Sequence, residues 1–214
     1  MKISFHYNRN KILRALVFTL ELLALSLLLY IFILPFYPLA KYKIFSSENK
    51  SITSDAKNEE KVKQKTAEYK SSLPQAEYAV SPNRLIITKI GVNAPIVESK
   101  NEQYGLSKGA WHIPESSTPD KGGNTVLTGH RFKYLPPNNL TFYLLDKLEI
   151  GDVISVIWQD KEYYYRVKET KVVPDTELSV LDPSDEPIIT LFTCTPLYST
   201  EKRLVVIGGL IKEK

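Results

Sequence analysis

The sequence predicts a mostly β domain, either a sandwich or a closed barrel, preceded by one N-terminal transmembrane helix. Two observations carry this prediction. The second half of the chain contains many short runs of β-branched and aromatic residues, separated by turn residues and with few helical patterns between them. Near the N-terminus, one apolar run is long enough to cross the core of a bilayer.

The apolar run covers residues 15–34, ALVFTLELLALSLLLYIFIL, and contains one charged residue, Glu21. As a helix, its 20 residues span about 30 Å, the thickness of a bilayer core. A cleaved signal peptide usually has a shorter apolar region, about 7–15 residues, followed by small residues. This run continues instead into Pro35, Phe36 and Tyr37. We therefore predict a retained anchor over residues 15–37.

Basic residues are more frequent before this anchor than just after it. They are Lys2, Arg9, Lys11 and Arg14 before it, and Lys41 and Lys43 after it. Positive charge favours the cytoplasmic side of a membrane. We therefore predict a cytoplasmic tail at residues 1–14 and a single-pass protein of the cell membrane, with the rest of the chain extracytoplasmic.

Residues 38–73 are predicted to form a polar spacer. The stretch 46–72 has many charges and few large apolar residues, so it cannot bury a core of its own. Residues 55–69 have opposite charges at helical spacing and could form a polar helix. A solvated spacer that lifts the following domain off the membrane is the preferred interpretation.

Composition limits the classes of function. The chain has 214 residues, of which 43% are hydrophobic and 24% charged, as expected for one globular domain with an appendage. The net charge of +4 is small and scattered, and no helix-turn-helix or zinc spacing is present, so nucleic-acid binding is not predicted. No acidic cluster indicates a calcium site, and no metal or cofactor is predicted.

Residues 74–214 are predicted to form the folded domain. Its β-rich runs are residues 84–90, 92–97, 124–128, 152–158, 163–167, 188–193 and 203–211. The stretch 140–148 is more helical in character. Many strands at short spacing favour a sandwich or a closed barrel.

Three reactive side chains lie at the ends of these runs. His130 follows the run 124–128, Cys194 (the only cysteine) ends the run 188–193, and Arg203 begins the last run nine residues later. Antiparallel pairing of the last two runs would bring Arg203 beside Cys194. A thiolate near an imidazole and a guanidinium group is suited to acyl transfer. Taken singly, each residue could instead be a buried inert thiol, a surface histidine or a strand-end arginine.

Taken together, three segments resemble the sortase family. They are TLFTC at residues 190–194, LTGH at residues 127–130, and the arginine at position 203. Sortases carry a cysteine in a TLxTC motif, a histidine in an upstream TGH motif and an arginine on the next strand. The resemblance extends from about Leu85 to the C-terminus, and the GHR pattern with its following proline-containing loop is most similar to class D and E enzymes.

The resemblance implies a closed eight-stranded β-barrel with short helices and a cysteine transpeptidase activity. Cys194 would cleave an LPxTG-like sorting signal between Thr and Gly. The acyl group of the thioacyl enzyme would then be transferred to an amine acceptor, such as a cell-wall cross-bridge. This transfer would anchor surface proteins. His130 would act as the acid and base, and Arg203 would stabilise the oxyanion.

The resemblance also implies that Thr193 contacts the substrate or helps to form the oxyanion site, and that Thr128, in the other motif, contacts the substrate. His112 is a rival histidine outside the TGH context, for which substrate contact or a structural role is expected rather than catalysis.

Two other functions stay open. A thiol hydrolase or peptidase would use the same residues and release the acyl group to water. A non-catalytic membrane-tethered β-barrel that binds peptides would not need all three reactive residues, and all three are present.

Overall fold

Eight strands close into a barrel in the computed structural model, which describes residues 9–46, 55–72, 83–133, 138 and 140–211. The strands are β1 (Arg84–Ile87), β2 (Val92–Glu98), β3 (Ala110–His112), β4 (Asn124–Thr128), β5 (Val153–Trp158), β6 (Lys161–Pro174), β7 (Ile188–Thr195) and β8 (Lys202–Leu210). They neighbour one another in the order β1-β2-β3-β4-β7-β8-β6-β5, and β1 pairs with β5. The predicted mostly β fold and the eight-stranded barrel are confirmed.

Two strand pairs are parallel, β2 with β3 and β4 with β7, and the other pairs are antiparallel. Because β4 and β7 run in the same direction, they finish at the same end of the barrel. We call this end the upper rim and the opposite end the lower rim. The upper rim carries the residues that follow β4 and those that end β7.

The barrel core follows the two-residue period of the strands. In β2, Val92, Ala94 and Ile96 are buried, whereas the residues between them are half-buried. Every residue of β1, β4 and β5 is buried. Because alternate strand residues point to opposite faces, these three strands must be covered on the outside as well as packed inside.

Four α-helices accompany the barrel in the described residues. They are α1 (Arg9–Ile33), α2 (Tyr37–Ser46), α3 (Asp55–Ser72) and α4 (Glu102–Lys108). A 3-10 turn at Leu34–Phe36 joins α1 to α2, and further 3-10 turns lie at Thr88–Ile90, Leu145–Lys147 and Ser179–Leu181.

The N-terminal apolar helix is a candidate membrane span. Lys11–Ile44 is helical over 34 residues, and its most apolar stretch has a mean hydropathy of 2.5 with none of it buried against the barrel. Residues 1–8, 47–54 and 73–82 lie outside the described residues, and so does the predicted boundary between spacer and domain at 73/74.

The predicted spacer contains α3, which packs on the outside of β5. Glu59, Val62 and Thr66 lie three and four residues apart, so they share one face of the helix. Val62 and Thr66 are buried, and Thr66 Oγ1 donates to Ser155 Oγ at 3.1 Å. Glu59 forms an ion pair with Arg166. One buried valine on an otherwise polar helix is too weak a pattern to reveal this contact from sequence.

Four further elements differ from the prediction. The stretch 140–148 forms one 3-10 turn rather than a helix. The strand β3 and the helix α4 were not predicted, since β3 has only three residues and so no visible alternation. The strand β6 continues to Pro174 through exposed polar residues such as Lys168 and Glu169, which hide the strand pattern.

Candidate active site

Cys194 and Arg203 face each other across two neighbouring strands. The antiparallel register of β7 and β8 places Cys194 directly opposite Arg203. Residues that are directly opposite project to the same face of a sheet, with Cβ atoms about 4.5–5.5 Å apart. The thiol is half-buried, and so is the arginine. The pairing predicted for the last two strands is confirmed.

The turn between β7 and β8 holds the Arg203 side chain. Its Nη1 donates to the carbonyl oxygens of Thr200 at 2.6 Å and Lys202 at 3.2 Å. A guanidinium group carries five N–H donors, so other donors remain for a ligand. The two carbonyl contacts restrict the side chain to the upper rim.

His130 lies level with Cys194 at the upper rim. The parallel register of β4 and β7 ends with Thr128 paired with Phe192, and His130 and Cys194 each follow this last pair by two residues. The backbone of His130 is also held from the other side, because Phe142 N donates to His130 O at 2.9 Å. The structure therefore brings all three predicted catalytic residues to one end of the barrel.

Two threonine hydroxyls tie the ends of β4 and β7 together. Thr128 Oγ1 donates to Phe192 O at 3.0 Å, and Thr193 Oγ1 donates to Gly129 O at 2.7 Å. Both threonines are buried. We call this reciprocal pair the threonine clamp. The two hydroxyls hold the end of β4, which leads to His130, beside the end of β7, which carries Cys194. Substrate contact by these two threonines stays a prediction.

Gly129 allows the chain to pass closely over an aromatic ring just before His130. A Cβ atom at this position would lie 3.1 Å from two ring carbons of Phe142. Phe142 is completely buried and has little room to move away. Close packing against Phe142 therefore favours glycine at this position of the TGH motif.

The local environment lowers the pKa of His130 below its ordinary value of 6.5. Partial burial is the main cause, because it disfavours the charged imidazolium, and the positive charge of Lys133 acts in the same direction. Glu102 opposes the shift. The free imidazole is therefore mostly neutral at pH 7, and its conjugate acid is a stronger proton donor than an ordinary histidine.

Arg131 is a further charged residue at the upper rim, for which the sequence predicted no role. Its side chain is only 10% exposed, and Nη2 donates to Asp146 Oδ1 at 2.8 Å. Burial lowers the pKa of this guanidinium, while the negative charges of Asp146 and of ionised Cys194 act in the opposite direction. Its position directly after the TGH motif was the one available signal.

Three aromatic side chains lie next to these residues. The ring of Phe132 contacts Tyr143 at 6.0 Å and Tyr198 at 4.8 Å between centroids. The hydroxyl of Tyr143 donates to Pro35 O at 3.2 Å. Tyr198 is largely exposed. This aromatic group borders the upper rim and joins it to the end of the candidate membrane span.

His112 does not join this cluster. It ends β3 and lies opposite Leu127 of β4, which is level with Leu191 of β7. Leu191 precedes Cys194 by three residues, so the side chains of His112 and Cys194 project to opposite faces of the sheet. His112 borders a cavity of about 550 Å³ that is also lined by Glu98, Ser116 and Lys121. Substrate contact by His112 stays a prediction, and the position of its side chain on the other face favours a structural role.

Ser116, His112 and Glu98 are arranged like a hydrolytic triad, but their hydrogen bonds do not suit one. His112 Nε2 lies 2.9 Å from Ser117 O and 3.1 Å from Ser116 Oγ, and a carbonyl oxygen can only accept. Nε2 therefore carries a proton. Ser116 Oγ donates to Ile113 O at 2.9 Å. The histidine thus has no lone pair with which to activate this serine.

The described residues contain no group of three or more His, Cys, Asp and Glu side chains able to hold a metal ion. We assign no metal ligand.

The sortase domain family matches residues 85–211 of this chain. Sortase D of Bacillus subtilis is 30% identical over 168 residues, which are 76% of this chain and 74% of that protein. Sortase SrtE1 of Streptomyces coelicolor is 34% identical over 145 residues, which are 61% of this chain. The match spans only 40% of the length of SrtE1.

Solved sortase structures share the fold. A Clostridium perfringens Sortase D5 transpeptidase has a TM-score of 0.53 and 29% identity, covering 61% of this chain and 78% of that one. Sortase E1 from Streptomyces coelicolor, solved with a tripeptide in its active site, has a TM-score of 0.55 and 33% identity, covering 61% of this chain and 87% of that one.

Proposed function

Because this chain belongs to the sortase family, we propose that it is a membrane-anchored cysteine transpeptidase that cleaves an LPxTG-like sorting signal between Thr and Gly and transfers the acyl group to an amine. The observation that carries the proposal is the placement of Cys194 opposite Arg203 and level with His130 at the upper rim. Thiol, imidazole and guanidinium are the three groups that amide cleavage through a thioester requires.

In the first half of the reaction, the Cys194 thiolate attacks the threonine carbonyl carbon of the sorting signal. The proton of the thiol resides on His130 at this stage. The carbonyl oxygen becomes an oxyanion, which the positive charge of Arg203 stabilises. Collapse of this intermediate breaks the Thr–Gly bond, and the imidazolium gives its proton to the departing amine. The product is a thioester between Cys194 and threonine.

In the second half, an amine acceptor attacks the thioester. His130, now neutral, takes a proton from the amine as the new bond forms. The lowered pKa of His130 supports both roles, since the neutral form is available for this step and the charged form is a good acid in the first. Arg203 again faces the oxyanion, and collapse releases the Cys194 thiolate.

The candidate membrane span supports a location at the cell surface. It precedes the barrel, and an extracytoplasmic barrel would meet sorting-signal proteins and an amine of the cell-wall cross-bridge. The peptide-bound Sortase E1 structure supports a peptide as the ligand of this rim. Sorting-signal proteins and an amine acceptor are therefore the proposed partners.

The test uses the full chain in detergent micelles with a panel of LPxTG-type peptides, with and without an amine acceptor, and mass spectrometry of the products. We expect cleavage after threonine and a product joined to the acceptor. The Cys194→Ala variant should form neither the product nor a thioacyl adduct. A Thr190→Val variant, altered on the same strand away from the rim, serves as the matched control and should remain active.

Other outcomes would change the proposal in different ways. Cleavage to the free acid alone, with every acceptor present, would favour the thiol hydrolase. Turnover that survives in the Cys194→Ala variant would contradict the mechanism. Binding of a peptide without any adduct or turnover would favour the non-catalytic peptide-binding barrel.

A further inference from the structure

Arg131 is held rigidly at the upper rim by an acidic partner. Its Nη2 donates to Asp146 Oδ1 at 2.8 Å, and Asp146 lies in the 3-10 turn Leu145–Lys147. Asp146 also pairs with Lys147 at 2.7 Å. A guanidinium group with one nitrogen anchored in this way keeps a defined orientation, because its nitrogens lie in one plane.

Two nitrogens of the same side chain have no hydrogen-bond partner among the described residues. The Nε and Nη1 atoms of Arg131 are buried and make no hydrogen bond to the part of the chain that the structure describes. Buried donors without an acceptor are rare in folded proteins, because they lose their hydration and gain nothing in exchange. At a catalytic rim, such donors indicate a place for an acceptor that arrives with the ligand.

The position of Arg131 relative to the thiol supports this interpretation. Arg131 directly follows His130, and its charge interacts with that of ionised Cys194. The remaining donors therefore lie beside the peptide that would be joined to Cys194. The acceptors that such a peptide presents along its length are its main-chain carbonyl oxygens.

We propose that Arg131 is a substrate-binding residue whose free N–H groups donate to main-chain carbonyl oxygens of the peptide held at Cys194. This inference rests on the proposed function and adds a second guanidinium to it. Arg203 would stabilise charge that develops during the reaction, whereas Arg131 would position the acyl-donor peptide before the reaction begins. The peptide accepts hydrogen bonds that the free enzyme leaves unmade.

The test separates peptide recognition from thiol reactivity. Wild-type full-length protein in micelles is alkylated with two reagents that carry the same chloromethyl ketone group. One is a tetrapeptide ending in threonine, with the sequence of the best substrate in the peptide panel, and the other is chloroacetone. Intact mass spectrometry gives both second-order rates, and the adduct is unambiguous because Cys194 is the only cysteine.

The informative variant is Arg131→Lys, which keeps the charge and can still reach Asp146 but loses the planar set of donors. We expect its rate with the peptide reagent to fall about tenfold or more, as for loss of a hydrogen bond from a charged donor. The rate with chloroacetone, and its dependence on pH, should stay within about twofold of wild type. Arg166→Lys is the matched control, a half-buried arginine at the lower rim with its own carboxylate partner, Glu59.

A second measurement does not depend on how the variant folds. In wild-type protein, each internal carbonyl of the peptide reagent is replaced in turn by a methylene group. At least one replacement should slow alkylation about tenfold, and the same replacement should have little further effect in Arg131→Lys. Unchanged rates for all replacements would overturn the proposal.

The remaining outcomes are also decisive. Equal peptide rates in wild type and Arg131→Lys would overturn the inference and leave the proposed function intact. A parallel fall with chloroacetone, or a shifted pH profile, would mean that Arg131 acts on the thiolate and not on the peptide. If the peptide reagent were no faster than chloroacetone in wild type, the proposed function would fail and the inference with it.

Discussion

At the scale of single residues, the environment of His130 determines its protonation. It follows a buried strand, and its main-chain carbonyl accepts a hydrogen bond from Phe142. Burial and Lys133 lower its pKa from 6.5, and Glu102 only partly offsets them. The imidazolium of His130 therefore gives up its proton more readily than that of an ordinary histidine.

The first prediction concerns the titration of His130. We expect its ring to titrate below 6.5 in the folded protein. The folded state then binds this proton less tightly than the unfolded chain. The histidine has no effect on stability above about pH 6.5, and stability falls as the pH drops from there through the folded pKa. NMR titration of the histidine ring protons, assigned with a His130→Gln variant, measures the pKa, and a midpoint at or above 6.5 would contradict the expectation.

The second prediction concerns Arg203, which in the proposed mechanism stabilises charge only after the thiolate has attacked. Arg203→Ala should lower kcat by about 10²–10³ with a smaller change in KM. Steady-state kinetics on the best peptide measures both. The neighbouring Lys202→Ala removes an exposed positive charge from the same strand and should be nearly silent. A large rise in KM at unchanged kcat would instead assign Arg203 to ground-state binding.

At the scale of elements, the parallel pair β4 and β7 builds the site. The two strands are paired along their length from Asn124 with Ile188 to Thr128 with Phe192. The threonine clamp then continues the connection past the last pair, through Thr193 Oγ1 and Gly129 O at 2.7 Å. Because this connection lies directly under the reactive residues, its loss should affect geometry as well as stability.

The third prediction compares two hydroxyl deletions on β7. Thr193→Val removes one of the two hydrogen bonds of the clamp, whereas Thr190→Val removes a buried hydrogen bond of 2.8 Å to Asn124 Oδ1 away from the rim. Each should destabilise the fold by about 1–3 kcal/mol, because a buried acceptor loses its donor. Only Thr193→Val should also lower kcat.

Chemical denaturation and peptide kinetics on the same two proteins measure the difference. Equal kinetic effects in the two variants would contradict a specific role of the clamp in positioning the site. The clamp would then contribute only to the stability of the fold.

At the scale of the whole molecule, the segment between the predicted anchor (residues 15–37) and the barrel is part of the folded unit. The helix α3 buries Val62 and Thr66 against the barrel and pairs Glu59 with Arg166. Leu39 and Tyr42 of α2 also pack against the core. These contacts connect the anchor to the barrel at two places, so the barrel is not held on a loose tether.

The fourth prediction tests the docking of α3. Val62→Asp should lower the free energy of unfolding by about 2 kcal/mol, since it removes a buried valine and places a charge against the barrel. Gln64→Asp introduces the same charge on an exposed position of the same helix and should have little effect. Denaturation monitored by tryptophan fluorescence measures both. Equal stabilities would indicate that α3 behaves as the solvated spacer predicted from sequence.

Local pattern was sufficient for much of the fold and for singling out three candidate catalytic residues. The runs that became β4, β7 and β8 were visible because their apolar residues are β-branched and bounded by turns. Short β3 and the polar half of β6 were not visible, since neither carries an alternating apolar pattern. His130, Cys194 and Arg203 stood out because each lies at the end of such a run.

The sequence by itself determined most of the strands, the place of the apolar helix and three candidate reactive side chains, because these depend on neighbours along the chain. Only the tertiary structure decided that β4 and β7 pair in parallel, which brings His130 and Cys194 to the same rim. It also decided that Arg131 meets Asp146 and that His112 lies on the other face of the sheet from Cys194. The physical reason is that barrel closure, and not local preference, selects which distant strands meet, and packing at the rim then determines which polar groups keep a partner.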